Sequence, residues 1–173
     1  MELFDVMIKR RSVREYGDED ISDDDLDKII KAGLLAPSSR NRKPCELVVV
    51  RNKKTLRQLS LSKKSGSAML EKANAAIVVV ADSVKANTWI EDSSIVLTYM
   101  DLMAANLGIG SCWCQTHLRY SGDDKLSEDV VRGLLSLDDN YRIVGILSLG
   151  VMVEELDSHE VPIISDSVVK FMD

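Results

Sequence analysis

The sequence predicts an α/β or α+β protein in which helices cover a central sheet. Short apolar runs rich in β-branched residues are typical of buried strands, and they alternate with segments whose apolar residues recur at helical spacing. With 173 residues, 45% of them hydrophobic, the chain is long enough for one domain with a substantial core. We therefore expect residues 1–173 to form a single domain.

Spacing and capping residues define the predicted elements. Ser22 precedes three aspartates, which is typical of a helix start, and Pro37 ends that helix. Residues 89–107 are apolar on more than one face, so we expect this helix to be buried in the core or against a partner subunit. The other predicted helices are a short one over 3–8, one or two over 53–74, and one over 126–135. The predicted strands are 46–51, 76–81, 111–115 and 142–151.

Composition argues against several functional classes. The chain has 22 basic and 28 acidic residues, a net charge of −6, whereas nucleic-acid binders usually carry a broad basic face. No apolar run approaches the roughly 20 residues of a membrane span. Acidic residues near the start and only three cysteines favour a cytoplasmic protein in a reducing compartment. Because the chain has only two histidines, we predict neither a histidine-based metal site nor a Ser-His catalytic triad.

Two short runs concentrate positive charge locally on this acidic chain. The first is Arg10-Arg11-Ser12-Val13-Arg14, and the second is Ala36–Pro44, which contains Ser38, Ser39 and Asn41. Local cations suit a small anion, because a guanidinium fork binds phosphate oxygens in a bidentate manner. The alternatives are a solvated helix end for the first run and ordinary turn chemistry for the second.

A third segment follows the long predicted helix. Gly108-Ile109-Gly110 is not a dinucleotide fingerprint, because it follows a helix and Trp113 stands where a third glycine is needed. It also suits a helix C-cap followed by a strand. Cys112 and Cys114 are interpreted as buried small hydrophobic residues, because two thiols leave a zinc site two ligands short. Trp113 is interpreted as a packing residue.

Three segments follow one another along the chain between about residues 2 and 150. Met7–Arg14 with Tyr16 comes first, Ala36–Pro44 second, and Leu107–Trp113 third. Taken together, the ordered set resembles the nitroreductase family of FMN-dependent oxidoreductases, of which this chain would be a short member. The resemblance implies an α+β fold in three layers, with a central mixed sheet flanked by helices. It also implies an intertwined homodimer, in which residues from about 152 to 173 extend onto the partner subunit.

The resemblance implies a function and a cofactor as well. FMN would accept hydride at N5 from NADH or NADPH, and a second substrate such as a nitroaromatic or a quinone would then collect two electrons in ping-pong order. Because the flavin carries the chemistry, no catalytic side chain is implied.

The resemblance also assigns cofactor-binding residues. Arg10, Arg11 and Ser12 would lie near the phosphate and ribityl chain, and Arg14 near the pyrimidine edge, where a fixed cation stabilises the reduced flavin. Pro37, Ser38, Ser39 and Asn41 would come from the other subunit. Trp113, Cys114 and Gln115 would lie along the ring, with main-chain amides near Cys114 and Gln115 facing N5.

The chain departs from the family pattern after its last strand. Relatives carry a basic cluster there, whereas residues 150–157 are acidic, which predicts weaker phosphate binding and a more exposed flavin. Lys63, Lys64 and Ser67 are candidates for a polar pair that relatives carry ahead of the second strand. Two alternative functions stay open: a flavin-binding sensor or carrier with little turnover, and an assembly scaffold without flavin. The convergent arginines argue against the scaffold.

Overall fold

The structure, a computed structural model, describes residues 2–165 and 167–172. Asp166 and Asp173, which belong to the expected C-terminal extension, lie outside the described residues. The helices are α1 (Leu3–Lys9), α2 (Asp23–Leu35), α3 (Lys53–Ser60), α4 (Met69–Lys72), α5 (Trp89–Asn106) and α6 (Ser127–Leu134), with a 3₁₀ turn at Ser39–Asn41. The strands are β1 (Cys45–Val50), β2 (Ala75–Asp82), β3 (Ile109–Gln115) and β4 (Tyr141–Val151).

The predicted helices and strands are confirmed, with small shifts at their ends. Residues 53–74 form two helices, α3 and α4. Helix α2 begins as its sequence indicates, because the Ser22 hydroxyl accepts a hydrogen bond from the Asp25 amide at 3.1 Å. Helix α5 lies close to α2: a Cβ atom added at Gly33 would stand 2.8 Å from Cγ of Met100. None of the helices in the described ranges is long and apolar enough to cross a membrane.

The four strands form one sheet in the order β1-β2-β4-β3. All three strand pairs are antiparallel, with Val48 opposite Val78, Ile77 opposite Leu147, and Ser111 opposite Leu149. The α+β class is therefore confirmed, whereas the expectation of a mixed sheet is corrected for these four strands. Strand β2 is buried on both faces and shows no polar alternation, so its sequence does not encode the direction of pairing.

Helices cover the sheet on both faces, which gives the three expected layers. Alternate residues of β2 point to opposite sides: Val78 joins a core cluster with α3, α4 and α6, and Ile77 joins one with α2 and α5. Strand β3 lies at one edge of the sheet, beside the segment that follows α1. That edge positions the candidate site.

The segment after β4 stays on the surface. Met152 makes an isolated bridge with Tyr16, and the described residues beyond it form neither a helix nor a strand of the sheet. Several of its large apolar side chains are exposed, and they are Val161, Ile163, Ile164, Val168, Phe171 and Met172. Such side chains are the ones that a partner surface would bury.

Candidate functional site

Residues 10–16, which we call the first loop, wrap around the outer edge of β3. The loop begins at the end of α1, where the Arg10 amide donates to the Val6 carbonyl at 2.9 Å. The Val13 amide then donates to the Ser111 carbonyl at 2.8 Å, and Ser12 forms a parallel bridge with Ser111. These main-chain bonds fix the first loop against the start of β3.

Tyr16 anchors the far end of the first loop. Its hydroxyl donates to the Val13 carbonyl at 2.9 Å and lies 2.7 Å from Oγ of Ser148 in the sheet. A Cβ atom at Gly150 would stand 2.4 Å from the Tyr16 ring, so glycine is needed there for close approach. Burial raises the pKa of Tyr16 above its usual range, and its contact with Ser148 acts in the opposite direction. The phenol is therefore a neutral structural anchor.

Arg10 and Arg11 border a cavity of about 330 Å³ beside the start of β3. Nη1 of Arg10 lies 3.4 Å from Oδ2 of Asp101, a buried carboxylate that also accepts from the Ser111 hydroxyl at 2.5 Å. The Arg11 guanidinium donates to the Asp157 carbonyl. Both arginines are thereby held at the cavity wall, where they can meet an anionic group.

Arg14 and Lys63 lie further along β3. Arg14 is exposed and donates to the Ser12 carbonyl at 3.1 Å. Burial raises the pKa of the Cys112 thiol, and the positive charge of Arg14 nearby acts in the opposite direction. Nζ of Lys63 lies 3.2 Å from the Gln115 carbonyl oxygen. Two cations thus border the same stretch of strand.

Lys63, Lys64 and Ser67 are the three candidate residues between α3 and β2. Within the described residues, Lys63 is the one whose side chain hydrogen-bonds to β3. The Ser67 hydroxyl is buried and donates to the Ser60 carbonyl at 2.8 Å, which is a structural contact. The Lys64 amide donates to the Tyr120 carbonyl at 2.9 Å.

The side chains of β3 alternate between the two core clusters. Cys112 and Cys114 are each 2% exposed and belong to the cluster with α3, α4 and α6, which confirms their interpretation as buried small residues. Burial raises the pKa of Cys114, and the charge of Lys63 acts in the opposite direction. Trp113 packs against the other cluster and donates from Nε1 to Oε1 of Gln115 at 3.0 Å, so its interpretation as a packing residue is also confirmed.

The main chain of β3 alternates as well. The Ser111 carbonyl accepts from Val13 and the Gln115 carbonyl accepts from Lys63, so both residues present their main-chain groups at the outer edge. By the two-residue repeat of a strand, the amide of Trp113 faces the same way and that of Cys114 faces β4. The expectation that a Cys114 amide faces the ligand is therefore corrected, whereas the Gln115 amide does lie at the outer edge. Gly108, with φ at +73°, directly follows the C-cap residue of α5, Leu107, and leads into β3, which is the position where helices commonly place a left-handed glycine.

Residues 36–44, which we call the second loop, pack on the first turn of α5. The Ser39 amide donates at 2.9 Å to Oδ1 of Asp92, which is only 2% exposed, and the Thr88 hydroxyl donates to Oδ2 of the same carboxylate at 3.1 Å. The Ser38 hydroxyl accepts from the Lys43 amide at 2.8 Å. Arg40, Asn41 and Lys43 have positive φ values of 51°, 54° and 45°, so tertiary contacts must hold the loop in this conformation.

A single chain brings the residues of the first loop and β3 together, but it does not bring the second loop to them. The second loop is anchored at Asp92 and the first at Asp101 of the same helix. Nine residues of α-helix separate these anchors by about 14 Å. Pro37 and Ser38 line a separate, smaller cavity of about 50 Å³.

A charged cluster closes the end of β3 and was not predicted from the sequence. Glu128 is 4% exposed and accepts hydrogen bonds from Arg142, from the Ile143 amide at 3.1 Å, and from His117 at 2.6 Å. The Arg142 guanidinium lies 4.7 Å from the centre of the Trp89 ring. Within residues 2–165 and 167–172, no group of three or more His, Cys, Asp or Glu side chains is arranged to hold a metal ion.

Comparison with known proteins identifies the family. A profile of the nitroreductase family matches residues 7–66 and 57–151. The chain belongs to the nitroreductase family. A relative from Archaeoglobus fulgidus, named as an NADH dehydrogenase/NAD(P)H nitroreductase, is 36% identical over 163 residues, which is 92% of this chain and 90% of that protein.

Solved structures of the nitroreductase family share this fold. An FMN-dependent nitroreductase from Clostridium difficile matches with a TM-score of 0.92 and 38% identity, covering 97% of this chain and 98% of that one. A nitroreductase from Desulfovibrio desulfuricans, solved in complex with FMN, has a TM-score of 0.80 at 21% identity and covers 100% and 98% of the two chains. At that identity, the second match supports the fold alone.

Proposed function

We propose that this nitroreductase-family chain is an FMN-dependent oxidoreductase that oxidises NADH or NADPH and reduces small acceptors such as nitroaromatics and quinones. The observation that carries the proposal is the row of cations along the outer edge of β3. Arg10 and Arg11 lie at its start, and Arg14 and Lys63 lie further along. The names of the relatives, which include NAD(P)H nitroreductase and FMN-dependent nitroreductase, support the same activity.

The residues present fit FMN in both charge and extent. From Ser111 to Gln115, four steps of about 3.4 Å make a strand edge of about 14 Å. Such an edge suits an elongated ligand with an anionic group at one end. Arg10 and Arg11 would hold the phosphate at the cavity, and Arg14 would face the other end.

When bound, FMN supplies the atom that accepts hydride and later releases two electrons. The chain would place positively charged side chains next to the part of the flavin that becomes negative on reduction. Arg14 and Lys63 would stabilise the reduced form, because two-electron reduction leaves negative charge at the pyrimidine edge. The amides of Trp113 and Gln115 at the outer edge of β3 would orient the ring. No side chain is required to act as an acid, base or nucleophile.

A homodimer would complete the site by adding the second loop of the partner, including its Pro37, Ser38, Ser39 and Asn41. The separation of the two loops in one chain supports this arrangement. Exposed apolar side chains on three helices offer a surface to bury, and they are Leu3, Phe4, Met7, Leu34, Leu35 and Tyr99. Of the C-terminal segment, residues from about 152 to 173, the stretch around Asp157 and His159 contacts the first loop of its own chain, and the remainder would extend across the partner. Cysteines 45, 112 and 114 are free thiols, which agrees with a cytoplasmic location.

The C-terminal segment favours a second candidate, a flavin-binding sensor or carrier with little turnover. Its acidic residues follow β4, and its Asp157 carbonyl accepts from Arg11. If this segment shields the flavin from the nicotinamide, removing the residues after Val151 should raise reductase activity. Unchanged or lower activity in a truncated protein that still binds flavin would count against the carrier.

A visible absorption spectrum tests the proposal directly. The purified protein is incubated with FMN, separated from free flavin, and then mixed anaerobically with NADH or NADPH. We expect a retained flavin band that bleaches on addition of the nucleotide and returns when a quinone is added. A retained band that neither nucleotide bleaches would favour the carrier, and absence of a retained band would contradict flavin binding.

A further inference from the structure

His159 lies where the C-terminal segment meets the first loop. Its amide donates to the Ile8 carbonyl at 2.9 Å, which ties this part of the segment to the end of α1. Two residues earlier, the Asp157 carbonyl accepts from Arg11. These contacts place Nε2 of His159 3.5 Å from Nη2 of Arg10. The imidazole therefore lies beside Arg10, and the main chain two residues earlier contacts Arg11, the other arginine of the proposed phosphate site.

The surroundings of His159 contain charges of both signs. Lys9, Arg10, Arg11 and Glu155 line the adjoining cavity, and the carboxylate of Asp101 lies on the other side of Arg10. Asp157 and Glu160 flank His159 in the chain. Between Arg142 and Lys170 the sequence contains no lysine or arginine. His159 is thus the one residue in that interval able to add positive charge beside the cavity.

We propose that His159 is a third cation of the phosphate site, and that its protonation makes the preference for FMN over riboflavin depend on pH. This inference rests on the proposed function, because it concerns the same flavin site. Riboflavin lacks the phosphate group, so the difference between the two ligands isolates the contribution of this end of the site.

The chemistry of the pair gives the direction of the effect. With no anion bound, a neutral imidazole accepts a hydrogen bond from Arg10, whereas a protonated imidazole donates from both nitrogens and faces a like charge. A phosphate dianion beside them reverses this preference, because an opposite charge favours the protonated form. Binding FMN therefore takes up a proton, and FMN affinity falls as the pH rises.

The test compares the affinities of FMN and riboflavin for the full-length protein, measured by quenching of flavin fluorescence between about pH 6.5 and pH 8.5. Above about pH 6.5 a phosphate monoester is mostly dianionic, so titration of the ligand contributes little. We expect the Kd for FMN to rise about three- to tenfold over this range. The Kd for riboflavin should stay constant. Inorganic phosphate should compete with FMN more strongly at the lower pH and should not displace riboflavin.

Three variants distinguish an effect of the His159 imidazole from an effect of the overall charge around the cavity. H159K keeps a permanent cation and should bind FMN tightly across the range, and H159Q should bind it weakly across the range. E160Q removes a neighbouring negative charge but keeps the imidazole, so the affinity for FMN should still fall as the pH rises. A slope that survives in H159Q, or a constant ratio of the two Kd values in wild type, would overturn the role of His159. Failure of wild type to bind either flavin at any pH would instead overturn the proposed function, and this inference with it.

Discussion

Arg142 donates two hydrogen bonds to the carboxylate of Glu128, from Nε at 2.9 Å and from Nη2 at 3.1 Å. The Glu128 side chain is 5% exposed and the Arg142 side chain 36% exposed. Amide and imidazole donors fill the remaining acceptor positions of the carboxylate. The pair joins α6 to the beginning of β4 and so secures the end of the sheet next to the exit of β3.

Replacing Glu128 with alanine should destabilise the protein strongly. Removing the buried carboxylate leaves Arg142, His117 and the Ile143 amide without their acceptor, at a cost of about 2 kcal/mol, because the Arg142 charge that remains is partly exposed to water. The measurement is the free energy of unfolding from urea titrations at neutral pH. Asp129→Ala on the same helix is the control, because its ion pair with Arg132 lies at the surface and should contribute less than about 1 kcal/mol. Equal losses in the two variants would contradict a special role for Glu128.

Glu128 should also make stability depend on pH. Burial acts to raise the pKa of Glu128, but hydrogen bonds from Arg142, His117 and Ile143 outweigh it and hold the pKa below its usual value. A carboxylate with a lowered folded-state pKa stabilises the fold above its unfolded value, about 4.3, and loses that contribution as the pH falls through the folded value. Wild type should therefore lose more stability than E128Q between pH 6 and pH 3. Parallel urea midpoints for the two proteins over this range would refute the prediction.

Arg14→Gln and Lys63→Gln should each make the reduction potential of the bound flavin more negative. Losing about 1.4 kcal/mol of stabilisation of the reduced form shifts a two-electron potential by about 30 mV. The potential is measured by anaerobic titration against a reference dye. Arg57→Gln removes a cation from an exposed ion pair with Glu71 and should leave the potential unchanged. An unchanged potential in both test variants would exclude them from the ring end of the site.

Asp92→Ala should weaken FMN binding from a distance, because it releases the Ser39 amide and with it the second loop. A hydrogen bond to a charged group contributes about 1.5 kcal/mol or more, which corresponds to at least about a tenfold rise in Kd.

If the second loop serves the partner's site, mixing Asp92→Ala with Arg14→Ala should restore one intact site in each mixed dimer. Flavin binding that recovers on mixing supports shared sites. A mixture no better than its components would show that each chain builds its own site.

Gly150→Ala should disturb the first loop, since the added Cβ atom meets the Tyr16 ring at 2.4 Å. We expect both a lower free energy of unfolding and weaker flavin binding. Gly133→Ala is the matched control: it lies in α6 with nothing within 4 Å of the added atom, and it should stabilise the protein by up to about 1 kcal/mol. Flavin binding that is normal in Gly150→Ala would show that the first loop tolerates movement of Tyr16.

The local features of this fold could be predicted because local residues specify them. Ser22 and Pro37 bound α2, and the apolar runs mark β2 and β4. The direction of strand pairing was not predictable, because buried runs without polar alternation suit either direction. The same holds for contacts between distant residues, such as Asp92 with Ser39 and Arg10 with Asp101.

In the candidate site, too, residues in local sequence motifs could be predicted, whereas residues placed by long-range packing could not. The two charged runs stand out in the sequence, so Arg10, Arg11 and Arg14 could be proposed as ligands. Lys63 could only be suggested among its neighbours, because its position beside Gln115 depends on how α3 and β3 pack. His159 carries no motif at all, and only the path of the C-terminal segment places it beside Arg10.

The outer edge of β3 has a further consequence, for solubility. An open strand edge can pair with the edge of another molecule and begin aggregation, and charged side chains or covering segments prevent it. Here the first loop covers the start of the edge through Val13, and Lys63 binds its last carbonyl. The groups proposed to receive a cofactor therefore also keep the sheet from growing, so variants that neutralise Lys63 should be handled at low protein concentration.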